Sequence, residues 1–169
     1  MTAITIAVER ADTDEVRQLL LERDTYFDRL YAGEDRVPKS VNVDSGDTAF
    51  FALRNAGYLV GCGALIRRES YGELKRFYLR EAFRGGGLGR RLLETVEDHA
   101  RRNGYRLLRL ETGIRQPEAI AMYRRAGFQE SGCFGEYKSH YLSIFMEKSC
   151  SFAGWARVTF PAGHCSCAG

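Results

Sequence analysis

The chain lacks any apolar run long enough to cross a membrane, and its first residues lack the basic and apolar segments of a signal peptide. No stretch approaches the ~20 apolar residues that a membrane-spanning helix requires. An excess of one charge sign is also missing, because 25 basic and 22 acidic residues leave a net charge of only +3. These absences predict a cytoplasmic protein with no membrane partner, and the even charge balance argues against a nucleic-acid partner.

The cysteines show neither a disulfide pattern nor a metal-binding pattern. Their number, five, is odd, and their spacing is scattered in a chain long enough to form an ordinary core. His164, Cys165 and Cys167 lie together, but no second segment offers matching ligands for zinc. We therefore expect reduced thiols and no metal site.

Composition otherwise indicates one globular domain. The chain has 169 residues, of which 44% are hydrophobic and 28% are charged. No repeat or low-complexity linker divides residues 1–148, which we predict to form a single domain. Residues 149–169 are rich in Ala, Gly, Ser and Cys, and we treat them as a C-terminal extension of unknown role.

The first half of the chain is predicted to contain a strand, a helix and a three-stranded meander. Alternating residues favour a strand at Thr2–Val8, and apolar residues at helical spacing favour a helix over Thr13–Leu30. Two β-prone runs, Thr48–Arg54 and Tyr58–Arg67, flank Asn-Ala-Gly and predict a hairpin. Glu73–Leu79 follows as the third strand.

The second half is predicted to add helices on the faces of a mixed sheet. A helix begins at Leu88 and stops at Asn103-Gly104, and Tyr105–Thr112 returns to the sheet parallel to the preceding strand. A short helix runs from Pro117 to Gly127, and the last strands form a long hairpin, one beginning at Phe128 and the other covering Tyr141–Glu147. This order predicts an α/β fold, in the sense of an α+β mixed sheet with flanking helices.

A glycine cluster, Arg84-Gly85-Gly86-Gly87-Leu88-Gly89, lies between the third meander strand and the long helix. Backbone N–H groups converge at such a helix start and favour an anion, and glycines let phosphate oxygens approach them closely. No Lys-Ser/Thr follows, as a nucleotide triphosphatase loop would need, and Arg90 occupies the place of the third glycine of a dinucleotide site. A phosphate site of another kind is predicted, with a flexible turn as the alternative.

The pattern Arg-x-x-Gly-x-Gly, preceded by Phe77-Tyr78-Leu79, resembles the GNAT superfamily of N-acetyltransferases. Residues 119–128, Ala-Ile-Ala-Met-Tyr-Arg-Arg-Ala-Gly-Phe, are similar to the short helix that flanks the pantetheine arm in that family. The resemblance extends from Ile4 to Lys148 and is closest to a group of small, mostly uncharacterised bacterial acetyltransferases. It implies a central mixed sheet with about four helices, acetyl-CoA as co-substrate, and transfer of an acetyl group to an amine.

The resemblance also implies which residues contact acetyl-CoA. The glycine cluster would surround the pyrophosphate, and the backbone of Leu79 would contact the acetyl carbonyl. Gln116 stands where many members have asparagine. The full set of implied acetyl-CoA contacts is Phe77, Tyr78, Leu79, Arg84, Gly85, Gly86, Gly87, Leu88, Gly89, Arg90, Gln116, Ala119 and Tyr123.

Acyl transfer to an amine needs a neutral nucleophile, a stabilised oxyanion and a leaving thiolate. Deprotonating an alkyl ammonium at pH 7 costs about 4 to 5 kcal/mol, so a base or a water chain is required. Glu73 is the preferred base, because some members of the family have a glutamate base six residues before the position of Leu79. Glu111 and a water relay are the alternative bases. Glu73 would then be only a solvated carboxylate at the end of a strand, with no catalytic role. Tyr123 is predicted to protonate the thiolate, the alternative being an aromatic core residue.

The acceptor is predicted to be a small-molecule amine or an amino acid. Attack would be direct, through a tetrahedral intermediate. The alternatives are acetylation of a protein N-terminus or lysine, and a non-catalytic acyl-CoA-binding module. The resemblance also allows a homodimer. Residues expected to face the acceptor are Tyr26, Tyr31, Phe134, Tyr137 and Tyr141, together with Glu34, Glu136 and Lys138.

Overall fold

A computed structural model describes residues 3–34 and 47–150. The described residues form one seven-stranded sheet, three α-helices and a single 3-10 turn. In chain order the elements are β1 (Ile4–Glu9), α1 (Asp14–Leu30), β2 (Thr48–Asn55), β3 (Tyr58–Arg67), β4 (Gly72–Leu79), the 3-10 turn (Glu81–Phe83), α2 (Leu88–Arg102), β5 (Leu107–Gly113), α3 (Pro117–Arg125), β6 (Gln129–Ser131) and β7 (Ser143–Ser149).

The sheet is mixed, as predicted, and its strand order is β1-β2-β3-β4-β5-β7-β6. Only the β4–β5 pair is parallel, because α2 carries the chain back across the sheet between them. The described residues contain three α-helices and the short 3-10 turn, where the resemblance implies about four helices. The aromatic-rich segment after α1 falls partly on residues 35–46, which lie outside the described part.

Each face of the sheet is covered by a different helix, and each contact is a stripe of apolar residues at helical spacing. On the face that we call the α2 face, α2 buries Leu92, Leu93, Val96 and Ala100 against the strands. On the α1 face, Val16 and Leu19 of α1 pack against β2 and β3. Thr13 caps α1 by accepting a hydrogen bond from the backbone N–H of Val16.

A β-bulge interrupts β4, a feature that the sequence pattern did not predict. Arg76 has a φ of +57°, and the β3–β4 register shifts between Cys62 and Ala64. The ring of Phe77 lies directly over Gly63, where an added Cβ would be only 2.8 Å from the ring. The bulge re-aims the last residues of β4, which are those that the resemblance assigns to acetyl-CoA.

The C-terminal end of the described region remains attached to the sheet. The backbone N–H of Cys150 donates to the carbonyl of Arg106 at 2.8 Å. The predicted boundary after residue 148 stays a prediction, since residues 151–169 lie outside the described residues. Within residues 3–34 and 47–150 there is no helix long and apolar enough to cross a membrane and no metal-binding cluster, and Cys62, Cys133 and Cys150 are free thiols.

Candidate active site

The site is organised by the divergence of β4 from β5. The two strands pair only where Gly72–Leu74 meets Leu108–Leu110, and β4 then continues to Leu79 without pairing to β5. The backbone edge of β4 from Lys75 onward therefore faces a gap in the middle of the sheet. Such an edge supplies N–H and C=O groups that an extended ligand can use.

The glycine loop lies at the end of this gap and at the start of α2. Gly87 is the N-cap of α2 with a φ of +79°, and within the described chain no side chain caps this helix start. The first turn of α2 contains no acidic residue, so its N–H groups and dipole are available to an anion. An added Cβ at Gly85, Gly86 or Gly87 would meet nothing within 4 Å. The backbone of the loop is therefore open to a phosphate group.

The predicted arginine contacts differ in their surroundings. The Nε of Arg84 donates to the carbonyl of Leu79 at 2.8 Å, and its guanidinium lies 4.4 Å from the ring centre of Tyr26. Arg84 thus ties the glycine loop to β4 and α1. Arg90 is exposed and pairs with Glu94 one turn along α2. Leu88, next to the loop, packs its side chain against the core.

Helix α3 presents the second predicted motif to the same gap. Tyr123 is buried, and its ring makes edge contacts with Phe77 of β4 and with Phe128. Burial raises the pKa of the Tyr123 phenol, and the charge of Arg23 acts in the opposite direction. Gln116 is the N-cap of α3, but its side chain does not cap the helix. Ala119 packs on the core cluster of the α2 face.

Glu73, the preferred base, is a buried carboxylate on the α1 face with several polar partners. Its Oε1 accepts a 2.6 Å hydrogen bond from the Tyr137 hydroxyl and lies 3.1 Å from the Lys75 ammonium. Its Oε2 lies 2.8 Å from the guanidinium of Arg68. Burial raises the pKa of Glu73, but Tyr137, Lys75 and Arg68 together outweigh it and hold that pKa below its usual value. These partners reduce its basicity, and its role as base stays a prediction.

Glu111, the alternative base, lies closer to the gap. It is the first residue of β5 beyond the segment paired with β4, and it shares the α1 face with Glu73 because side chains alternate along a strand. Its Oε1 accepts a 2.6 Å hydrogen bond from the hydroxyl of Ser143 on β7. The carboxylate therefore stands at the place where the two strands separate.

The residues expected to face the acceptor cover the α1 face. Tyr137, Phe134 and Phe145 are in mutual edge contact, and Phe134 also contacts Tyr71. A second cluster on this face consists of Glu34, Arg115 and Tyr141, in which Glu34 accepts hydrogen bonds from the other two side chains. Tyr26 contacts Tyr78 and Tyr31 is buried, whereas Glu136 and Lys138 are exposed.

Several polar residues of this face were not predicted from the sequence. Arg68 and Lys75 were not foreseen as partners of Glu73, because a bend between two strands and a bulged strand bring them together. Arg23 and Arg76 form a further buried pair beside the gap. Neither stands out in the sequence, because Arg23 lies between Glu22 and Asp24 and Arg76 follows Lys75, and no spacing rule connects an arginine of α1 with one of β4.

Comparison with known proteins agrees with this geometry. The profile of the acetyltransferase (GNAT) family matches residues 13–128, which is more than half of the chain. The chain belongs to the GNAT acetyltransferase family. It is therefore an acyl-CoA-dependent N-acetyltransferase, with acetyl-CoA as its co-substrate.

Relatives of this GNAT protein include proteins of different stated activities. An IAA acetyltransferase of Azospirillum brasilense is 43% identical over 151 residues, covering 88% of this chain and 99% of its own. The N-alpha-acetyltransferase RimI of Mycobacterium tuberculosis is 29% identical, covering 78% of this chain and 81% of its own. A solved structure described as an acyl-CoA N-acyltransferase from Klebsiella pneumoniae superposes with a TM-score of 0.73 at 35% identity, covering 89% of this chain and 99% of its own.

Proposed function

We propose that this GNAT enzyme transfers the acetyl group of acetyl-CoA to the primary amine of a small molecule or amino acid. The neutral amine attacks the thioester carbonyl carbon directly, a C–N bond forms, the tetrahedral intermediate collapses, and the C–S bond breaks. The amine loses one proton to a base, and the coenzyme A thiolate gains one. The divergence of β4 from β5 beside the glycine loop carries this proposal.

Different parts of the site suit different parts of acetyl-CoA. The N–H groups of residues 85–89 and the start of α2 suit the pyrophosphate, since both hydrogen bonds and the helix dipole favour an anion there. The unpaired edge of β4 suits the pantetheine arm and the acetyl carbonyl, with Leu79 as the predicted oxyanion contact. Phe77, Ala119 and Tyr123 form the apolar wall on the α2 face.

Glu111 has the better position for the base, although Glu73 is the residue that the sequence favours. Glu111 stands where the strands separate, so a neutral amine or one bridging water can lie between it and the thioester. Glu73 is occupied by Arg68, Lys75 and Tyr137, which stabilise its charged form and weaken it as a base. Glu73 would then position Tyr137 on the acceptor side.

A small acceptor fits the cover of the α1 face better than a protein chain does. Glu34, just after α1, accepts hydrogen bonds from Arg115, which follows β5, and from Tyr141, which precedes β7. These contacts form a bridge across the α1 face. An extended peptide needs an open groove at this place. The names of the relatives do not agree on one acceptor and therefore do not decide the choice. The contacts of Glu34 and the aromatic cover support a small molecule. The cytoplasmic location and a homodimer stay predictions.

The test is a screen for coenzyme A release, with acetyl-CoA, a panel of small amines and amino acids, and a panel of peptides. Two variants accompany the wild type. Gly86→Glu places a carboxylate in the glycine loop, and Gly132→Glu is its control, because both glycines have open space and neither has a positive φ.

We expect amine-dependent release by the wild type and Gly132→Glu, and none by Gly86→Glu. Release with peptides alone would replace the proposal by protein acetylation. Binding of acetyl-CoA without release in any mixture would indicate a non-catalytic module.

A further inference from the structure

Two arginines on the α1 face are buried side by side at the edge of the gap. The side chains of Arg23 on α1 and Arg76 on β4 are only 19% and 12% exposed. Asp24 contacts both, with its Oδ1 2.6 Å from Arg23 Nη1 and 3.7 Å from Arg76 Nη1. Two guanidinium groups in so little water are costly unless anions compensate them.

Arg23 is incompletely compensated by its surroundings. Its Nε is buried, and no group of residues 3–34 or 47–150 accepts a hydrogen bond from it. Burial and the neighbouring charge of Arg76 lower the pKa of Arg23, although Asp24 acts in the opposite direction. A buried guanidinium N–H group without an acceptor is destabilising, so a ligand that accepts a hydrogen bond from it gains that interaction.

The location of this pair connects it with the acceptor. Arg76 forms the bulge and lies within the segment of β4 that has left β5, which begins at Lys75. Asp24 joins Arg23 to Arg76, which places the two guanidinium groups beside this segment of β4. Phe27 supports the guanidinium of Arg23 from α1, at 4.8 Å from the ring centre. The pyrophosphate cradle is elsewhere, at the start of α2.

The charge of this pair restricts which amines can approach. A plain alkyl amine is a cation at neutral pH and would be repelled by the incompletely compensated guanidinium of Arg23. A molecule that carries a carboxylate beside its amine would instead neutralise that charge. A carboxylate can also accept two parallel hydrogen bonds from one guanidinium, including one from its Nε.

We infer that Arg23 and Arg76 form a subsite for the carboxylate of the acceptor, and that the acceptor is therefore an amino acid. This inference rests on the proposed function, because it names the substrate class of the same site. The guanidinium pair holds the carboxylate while the amine points toward Glu111 and the gap. The same positive field lowers the pKa of the bound ammonium group and so favours the neutral amine that attacks.

The test compares L-amino acids with their own carboxamides, which keep the amine and the side chain but lack the carboxylate. Two readouts are used with the full chain: coenzyme A release from acetyl-CoA, and the rise in Tm caused by each compound in the presence of coenzyme A. Three proteins are compared: wild type, Arg23→Gln, and Arg17→Gln as the control. Arg17 lies on the same helix but is exposed and pairs with Asp14.

For at least one amino acid, we expect the wild type to prefer the acid over its carboxamide by about 10-fold or more in kcat/KM. A charge-assisted bidentate contact provides a preference of this size. Arg23→Gln should raise KM for the acid and abolish that preference, while its KM for acetyl-CoA stays unchanged. Arg17→Gln should behave as the wild type. Since Gln removes a buried charge, Arg23→Gln should remain folded, which its Tm without ligand will show.

The outcomes separate this inference from the proposed function. Turnover of amides and plain amines at least as fast as of acids would overturn the carboxylate subsite and leave the acetyltransferase proposal intact. A fall in kcat for all acceptors alike in Arg23→Gln would also overturn it, and would assign Arg23 to the reaction centre. If neither readout distinguishes any acid from its amide, the inference is wrong. An acid that raises Tm without being acetylated would support the subsite and contradict the proposed function.

Discussion

The hydroxyl of Tyr137 donates a 2.6 Å hydrogen bond to Oε1 of Glu73, across 64 residues of sequence. This contact joins the segment before β7 to β4, and it lies under the aromatic cover of the α1 face. Burial of a carboxylate is unfavourable by itself, so Tyr137, Arg68 and Lys75 are what keep Glu73 charged. The acceptor side of the site therefore has a polar centre within an aromatic shell.

Removal of this hydroxyl should destabilise the fold. Tyr137→Phe keeps the ring contacts but deprives a buried carboxylate of a donor, so we expect a loss of about 1 to 3 kcal/mol in the free energy of unfolding. Urea denaturation at pH 7 measures it. Tyr58→Phe is the matched control, because the Tyr58 side chain is exposed and its hydroxyl should contribute little. Equal stability of the two variants would contradict the importance of the contact.

The Glu73 network should also be visible in the pH dependence of stability. The folded-state pKa of Glu73 is lowered, so its contribution is fully present above the unfolded-state pKa of about 4.3 and is lost as pH falls through the folded-state value. Glu73→Gln should therefore be less stable than wild type at pH 7 and should lose less stability on acidification below about pH 5.

Tm measured from pH 7 to pH 3 gives the comparison. Glu118→Gln, at an exposed position of α3, is the control and should follow the wild-type curve. A Glu73→Gln curve parallel to wild type would show that Glu73 gains no charge stabilisation on folding.

The two carboxylates of the α1 face should differ in their effect on turnover. Glu111→Gln removes the carboxylate at the point of strand separation, and we expect kcat to fall by roughly 100-fold with acetyl-CoA affinity unchanged. In Glu73→Gln, the larger effect should be on stability. Steady-state kinetics across pH, with the amine that the screen identifies, distinguishes them. Loss of the pKa on the acidic limb of the pH profile in Glu73→Gln but not in Glu111→Gln would restore Glu73 as the base.

Tyr123 should contribute to the departure of the thiolate. Tyr123→Phe keeps the edge contacts with Phe77 and Phe128. The fall in kcat should be about 10-fold, which is modest because a thiol near pKa 8.5 is already a fair leaving group. Acetyl-CoA affinity should not change. An unchanged kcat would leave Tyr123 as a packing residue, in keeping with its burial.

Much of the framework could be predicted because it depends on local patterns. The stripe from Leu88 to Ala100 specified α2, and Asn55-Ala56-Gly57 specified the β2–β3 hairpin, in which Ala56 and Gly57 both adopt positive φ. The glycine loop was recognisable because a strand, several glycines and a helix follow one another. Each of these signals is contained within about 15 residues of sequence.

The polar centre of the site could not be predicted in the same way. The bulge at Arg76 has no marker in the sequence, since arginine rarely adopts a positive φ. The partners of Glu73 include Tyr137, and those of Glu34 include Arg115, which are brought together only by the completed sheet. A conformational choice at one residue and contacts of long sequence separation are both tertiary effects that no local pattern encodes.

Calorimetric titration with acetyl-CoA tests the central claim most directly. The wild type and Gly132→Glu should bind it saturably, and Gly86→Glu should not, because its carboxylate would occupy the open space of the glycine loop and repel the pyrophosphate. Gly86 is the informative position, since Gly85 and Gly87 have positive φ and substitution there would strain the backbone as well. Equal binding by Gly86→Glu and the wild type would contradict the assignment of the loop, and no binding by the folded wild type would contradict the account as a whole.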